Sequence, residues 1–379
     1  MRGGTSKAVI FRVEDLPRDR AEWDRIFLAV IGSPDPNGRQ LDGMGGGISS
    51  LSKVCVIGRS SRADADVDYT FAQVSVANAN VDYSANCGNM SSAVGPFAVD
   101  EKLVHAAGDE AVVTIHNTNT RKLIVARFAL DNGLAAVDGD FVLPGVAGSG
   151  APIRLDYLDP GGAGTGRLLP TGHPLDLLDV PEVGSLEASM VDAANPCVFV
   201  AAAALGCSGI EMPVELEANR DLLMRLEAIR VAASLAMGIA TTPAEAARKP
   251  GSPKVAMIAG PCEARTLAGE QLTPDAADVT VRMISIGQPH RAVPLTGAMC
   301  LAVASRISGT LVHRLARSPA AIDDPVRVAQ PSGLTVVGAQ VASDEAGWRA
   351  QCATVYRTAR RLMEGTVFVR GSLFEGRAG

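Results

Sequence analysis

Aromatic residues make up only 4% of this 379-residue chain, so its core has to be built from Val, Leu, Ile and Ala. Basic clusters are missing and the net charge is −6, which argues against nucleic acid or an anionic membrane as the main partner. No apolar run approaches the ~20 residues that a bilayer span requires; the longest runs from Cys197 to Cys207. The opening residues, Met1 to Ser6, lack the apolar stretch of a secretory signal. Seven cysteines are irregularly spaced, with no Cys-x-x-Cys pair among them. A zinc knuckle, a redox motif and a disulfide framework are therefore unsupported, and a reducing, cytoplasmic setting is expected. The five histidines show no metal-ligand spacing. Neither residues 2–7 nor the glycines at 43–47 have the spacing, or the strand–turn–helix context, of a nucleotide loop.

What the chain does have is 39 glycines and 22 prolines, hence many turns, and 47% hydrophobic residues, enough for a large core. Its length suggests two domains. The first half reads as short strands at 8–12, 53–57, 67–76, 111–117 and 123–130, several of them alternating apolar and polar residues. Residues 159–174 read as a Gly/Pro-rich loop. In the second half, strands are expected at 189–192, 197–203, 254–259, 279–285, 309–312, 334–341 and 366–370. One long amphipathic helix is expected over 213–237 and another helix over 348–364.

A faint internal repeat joins the halves. Residues 86–95 (NCGNMSSAVG) are a polar loop running into a small-residue helix, and residues 294–303 (PLTGAMCLAV) are an object of the same kind. Within the first, Cys87 stands among the cap-forming residues Ser84, Asn86 and Asn89, with Gly88 permitting a tight turn. The N–H groups of a helix start favour a thiolate, which makes such a cysteine usable as acid or base, although most cysteines are inert core residues. Lys53 opens an apolar strand behind a Gly/Ser-rich loop that includes Ser50, in a chain with few lysines. Burial there would favour the neutral amine; the plainer alternative is an exposed strand-end lysine. Thr5 and Ser6 lie in a run able to cradle a carboxylate with hydroxyls and N–H groups. His290, Arg291, Thr296 and Gly297 could do the same in the second half, though one histidine alone is weak evidence.

Taken together, MRGGTSK (1–7), QLDGMGGGISSLSKV (40–54), VDYTFAQVSV (67–76), NCGNMSSAVGPF (86–97), DAANP (192–196) and the stretch 285–310 resemble the PrpF family, within the diaminopimelate epimerase-like superfamily. The resemblance implies an α+β fold of two pseudo-symmetric domains, each a curved, mostly antiparallel sheet around a central helix. With the division at 182, these would be 1–182, carrying Lys53 and Cys87, and 183–379, whose last strand could return to the first. It also implies no metal, flavin or pyridoxal cofactor. The activity implied is a cofactor-independent 1,3-allylic proton shift, or cis–trans isomerisation, on a small unsaturated di- or tricarboxylate such as 4-oxalomesaconate, 2-methylaconitate, aconitate or methylitaconate. Lys53 and Cys87 match the family's catalytic pair, either one as base. Thr5, Ser6, Ser50, Asn86, Gly88, Asn89, His290, Arg291, Thr296 and Gly297 would hold the substrate. Epimerases of the superfamily use two cysteines, but Pro294 stands near the second position and Cys300 lies deeper in the helix. A two-thiol racemase is therefore disfavoured; an amino-acid racemase or epimerase stands as one alternative, and a non-catalytic polycarboxylate-binding accessory protein as another. Family members carry a short strand ahead of the Arg-Gly-Gly run, where this chain has Met1, so either the start lies upstream or the strand is missing. A homodimer is a further expectation.

Overall fold

The computed structural model describes residues 1–83, 86–285, 287–318, 321, 324–345 and 347–373. It is a mixed α/β protein with extensive sheet and few helices. The chain divides into two compact units, Met1–Asp156 with Tyr356–Gly379, and Tyr157–Val355. The sequence reading put the division at 182. Residues beyond 156 group with the second unit because strand Asp176–Val180 pairs along Gly184–Ala193, and Gly161 bridges Ala193.

In the first unit, β1 (Arg2–Gly3) and β2 (Ser6–Arg12) form an antiparallel hairpin. Strand β2 runs parallel to β3 (Lys53–Arg59), and β3 antiparallel to β4 (Val67–Val74). Short β5 (Val81–Asp82) folds back on β4. Strand β4 runs parallel to β6 (Glu110–Asn117), which is antiparallel to β7 (Lys122–Asp131). The short strand Ala359–Arg360 returns to pair with β1.

Alternation along β3 decides what each face meets. Val54 and Val56 join Ala72 and Val74 under helix α1 (Trp23–Ile31), against Trp23, Phe27 and Ile31. Lys53, Cys55 and Ile57 therefore point to the other face, where helix α2 (Gly88–Asp100) packs. Helix α2 is buried from Met90 through Val99, as a helix enclosed by sheet must be. Its small residues permit this: a Cβ on Gly95 would come within 2.8 Å of the Phe128 ring.

The second unit repeats the order of pairings. Strand β8 (Gly184–Ala193) is antiparallel to β9 (Asn195–Ala201), β9 parallel to β10 (Lys254–Ala259), and β10 antiparallel to β11 (Val279–Ser285). Short β12 (Gln288–Pro289) folds back on β11. Strand β11 runs parallel to β13 (Val326–Gln330), and β13 antiparallel to β14 (Gly333–Asp344). Helix α3 (Arg220–Ala236) covers one face with Leu222, Leu226, Ile229 and Ala233, packed against Val198, Val200, Val255 and Met257. Helix α4 (Leu295–Arg306) is buried from Gly297 through Ser305, the counterpart of α2.

Several local expectations fail for identifiable reasons. The helix over 213–237 is two helices, because Asn219 leaves helical geometry (φ −91°, ψ 83°) and its side chain accepts from the Leu222 N–H as a new N-cap. Residues 348–364 hold good helix formers, yet strand Gly347–Arg357 forms there, paired along β14 with Ala350 and Cys352 buried; partner burial overrides local propensity. Residues 309–312 do not form a strand: Thr310 caps a short helix, Leu311–Leu315. No strand forms over 366–370. Helix α1 was not anticipated. Among the described residues no helix is long and apolar enough to cross a membrane.

Candidate active site

Cys87 is the N-cap of α2, in extended geometry (φ −102°, ψ 99°), and its side chain caps nothing. Its carbonyl accepts from the Ser91 N–H at 3.0 Å and the Ser91 hydroxyl at 3.1 Å, while the thiol stays half-buried. Asn86 is pinned through Oδ1, which accepts from Asn117 Nδ2 at 3.2 Å and Ser91 Oγ at 3.3 Å. Asn89 is clamped from the other side: Nδ2 donates to Thr5 Oγ1 at 3.0 Å, and Oδ1 accepts from the Thr5 N–H and from Arg357 Nε. This approach requires glycine at Gly4, where φ is +52° and a Cβ would lie 2.3 Å from Asn89 Oδ1. Ser6 is buried at the start of β2. Cap-candidate Ser84 lies outside the described residues.

Lys53 is 8% exposed, and Nζ donates to Gln73 Oε1 at 2.5 Å. Gln73 is held in turn, its Nε2 donating to the carbonyls of Ser49 and Ser52. The ammonium also sits 5.0 Å from the Phe71 ring centroid. Among the described residues no carboxylate pairs with it. Ser50 lies in the 3-10 turn, Ser49–Leu51, just before the lysine. The glycine loop packs elsewhere than the sequence reading supposed: Gly43 abuts Ile31 and Gly32, and Gly45 abuts Gln40 and Ile31. Phe71 and Gln73 are what enclose Lys53.

Cys55 links the two candidates. It follows Lys53 on the same face of β3, is fully buried, and feels the charges of both Cys87 and Lys53. Burial, reinforced by the Cys87 charge, pushes its thiol up to about 12, so Cys55 is inert. Thr5, Asn86, Cys87, Gly88 and Asn89 are thus gathered at the start of α2, with Lys53 on the β3 face that α2 covers.

In the second unit, Pro294 is the N-cap of α4, the place Cys87 holds on α2. Thr296 and Gly297 fall in the first turn, and a Cβ on Gly297 would lie 2.4 Å from Met283 Sδ. The His290 N–H donates to the Met283 carbonyl at 2.8 Å. Burial, then the Lys254 charge, holds the His290 imidazole below its usual range. Arg291 is exposed. Cys300 is fully buried, donates to the Val191 carbonyl at 3.3 Å, and is pushed well up by burial and neighbouring Cys197. Cys300→Ala is expected to leave turnover within about threefold of the unaltered chain, measured by solvent-deuterium exchange. A hundredfold loss would revive the two-thiol alternative.

Sequence reasoning missed Gln73, Asn117 and Arg357. Gln73 lies inside the quoted stretch 67–76, but nothing in its pattern marks it as the partner of Lys53, which pairs with it only across the β3–β4 ladder. A cavity of about 500 Å³ in the first unit, lined by Lys7, Arg12, Met44, Phe97, Arg361 and Met363 among others, includes none of the candidate residues. Among the described residues no group of three His, Cys, Asp or Glu side chains is placed to hold a metal.

Comparison with known proteins extends over the whole chain. It is 41% identical over 371 residues to 3-methylitaconate isomerase of Eubacterium barkeri, covering 97% of this chain and 96% of that one. It is 39% identical over 386 residues to 2-methyl-aconitate isomerase of Cupriavidus necator, covering 99% and 97%. The crystal structure of a methylitaconate-delta-isomerase superposes with a TM-score of 0.92 at 40% identity, covering 100% of this chain and 96% of the other. These relatives are isomerases, and so is this enzyme. The family model described as PrpF protein matches residues 1–370, and the chain belongs to the PrpF family.

Proposed function

We propose that the chain catalyses a cofactor-independent 1,3-allylic proton shift on a small unsaturated di- or tricarboxylate, of the kind named for its relatives: methylitaconate or 2-methylaconitate. One observation carries this reading. Lys53, a buried amine with no carboxylate partner among the described residues, lies on the face of β3 that α2 covers, and Cys87, a half-buried thiol, is the N-cap of that helix.

The Lys53 amine takes a proton from the allylic carbon, and the electron pair spreads over a dienolate. The N–H groups at the start of α2 stabilise the developing charge. The Cys87 thiol delivers a proton to the far carbon of the allyl system, leaving thiolate opposite ammonium. Passage of a proton from the ammonium to the thiolate resets the pair. The reverse assignment, thiolate as base and ammonium as acid, balances equally. Thr5, Ser6, Ser50, Asn86, Gly88, Asn89, His290, Arg291, Thr296 and Gly297 serve the substrate carboxylates. In this reading the partner is the small polycarboxylate, with a homodimer as the assembly. The two units are pseudo-symmetric halves of a diaminopimelate epimerase-like fold, a reading supported by their common order of pairings.

Incubation in deuterium oxide with methylitaconate, 2-methylaconitate, aconitate and 4-oxalomesaconate, followed by NMR, tests it. Deuterium is expected at both allylic positions of one of them. Exchange confined to an amino-acid α-carbon would make the protein a racemase, and binding without exchange would make it an accessory protein.

A further inference from the structure

Lys53 and Gln73 stand opposite each other across the β3–β4 ladder, and Nζ donates to Gln73 Oε1 at 2.5 Å. An amide can turn either of two ends to an amine, and the two ends act differently. The oxygen only accepts: it takes one hydrogen from Nζ and leaves the lone pair of a neutral amine open. The NH2 end would donate to that lone pair and occupy the place a substrate proton must reach. The far contacts of Gln73 settle which end faces the lysine. Its Nε2 lies 3.0 Å from the Ser49 carbonyl and 2.9 Å from the Ser52 carbonyl. Carbonyl oxygens cannot donate, so the NH2 end belongs there and the oxygen faces Lys53.

Those carbonyls are held in turn. The Ser52 carbonyl also accepts from the Val74 N–H at 3.0 Å, tying the start of β3 to the end of β4. The Ser52 hydroxyl lies 2.7 Å from Gln40 Oε1 and 2.8 Å from the Ile48 carbonyl. Gln40 is 1% exposed, and its Oε1 also accepts from the Gly47 N–H at 2.9 Å. Turning the Gln73 amide over would set an oxygen against two fixed carbonyls. The titratable groups that neighbouring elements bring to this part of the sheet are Cys55 on β3, Tyr69 on β4 and Cys87 at the start of α2. From the β1–β2 hairpin comes the Met1 amino group, which donates to the carbonyl of Ala8, the β2 neighbour of Lys53.

We infer that Gln73 is a positioning residue for Lys53, a one-way acceptor that holds Nζ in place and keeps its lone pair turned to the substrate. This rests on the isomerase reading above and adds to it the device that aims the amine. An amine carries two hydrogens and an ammonium three. Oε1 therefore keeps one of them throughout, while the transferred proton comes and goes on the side away from Gln73. A neutral acceptor also suits the task better than a carboxylate, which would pair with the ammonium and hold its proton. The plainer account is a side chain that ties the turn at 49–52 to β4 and meets Lys53 only as its cross-strand neighbour.

Gln73→Glu and Gln73→Met in the full chain separate the two accounts, since both keep the length of the side chain. The readouts are kcat and KM for the best substrate of the deuterium panel from about pH 6 to 10, and thermal unfolding. In Gln73→Glu the added carboxylate favours the ammonium, so the limb of the profile that depends on Lys53 is expected to move up by about one to two pH units. The direction is the same whether Lys53 is base or acid. In Gln73→Met nothing accepts from the ammonium, so the limb is expected to move down by about half a unit or more. Its kcat should fall about tenfold with KM within about threefold, because Nζ is no longer aimed. The plainer account lowers the unfolding temperature in both variants and moves the limb in neither. The methionine variant adds no charge and carries the test by itself if the glutamate variant does not fold. A limb that stays in place in the folded variants, or a methionine variant whose limb moves up, overturns the inference. An unaltered protein that exchanges no member of the panel overturns the isomerase reading itself; an active unaltered protein with an unmoved limb in the variants overturns the role of Gln73 alone.

Discussion

Cys87→Ser is expected to lower kcat by about two orders of magnitude or more, the scale for losing a positioned acid or base. The fold should be unaffected. The thiol caps nothing and is half-buried, and the contacts that anchor the turn go through the Cys87 carbonyl, which serine keeps. Serine matches the shape but is a far weaker acid and, unlike a thiol, does not yield a usable anion near neutral pH. Single-turnover deuterium exchange distinguishes the step affected. If Cys87 is the acid, removal of the first proton continues in the variant while delivery to the far carbon stops. If it is the base, both stop. Full turnover in Cys87→Ser would remove Cys87 from the mechanism and leave water or a substrate hydroxyl as the donor.

The second large effect is at Lys53. Lys53→Arg should be nearly inactive, with a loss of about a thousandfold, although it keeps the charge. A guanidinium does not deprotonate in the working range, so it can neither take a proton as base nor release one as acid. It is also a poor fit: at 8% exposure, with Nζ only 2.5 Å from Gln73 Oε1 and under the Phe71 ring, a planar fork has no room to replace a single ammonium. Lys53→Met should be as inactive while folding normally, since it keeps the buried stem and removes the lysine's charge. The pair of variants is diagnostic. Activity retained by arginine and lost by methionine would make Lys53 an electrostatic anchor and move the base to Cys87 as thiolate.

Much of this was legible in the residues themselves. Strands β4, β6 and β7 announce themselves by apolar alternation bounded by turns, because a strand half-buried on one face needs that pattern whatever its neighbours, while β2 and β3 show as short continuous apolar runs. The small residues of 88–100 and 295–306 mark helices enclosed on all sides, since only small side chains let surrounding strands come close. The Asn-Cys-Gly-Asn run reads as a helix start with a reactive group because Asn and Gly there have no packing role to fill.

Other features had no local signature. Residues 347–357 mix helix formers (Ala350, Gln351, Ala353) with strand formers (Trp348, Thr354, Val355, Tyr356), and the β14 ladder that buries Ala350 and Cys352 settled the conflict in favour of strand. Asn219 splits a continuous helical pattern, and its side-chain bond to the Leu222 N–H was one choice among several for an asparagine inside such a pattern.

What the sequence determined by itself is the chemistry on offer, a lysine at a strand start and a cysteine at a helix start, since residue type and local turn chemistry are properties of a few adjacent positions. What only the tertiary structure decided is the company those residues keep. Gln73 reaches Lys53 across a ladder, and Asn117 and Arg357 reach the loop at 86–89 from distant strands. Register and burial arise from contacts far apart in the chain, and no local pattern encodes them.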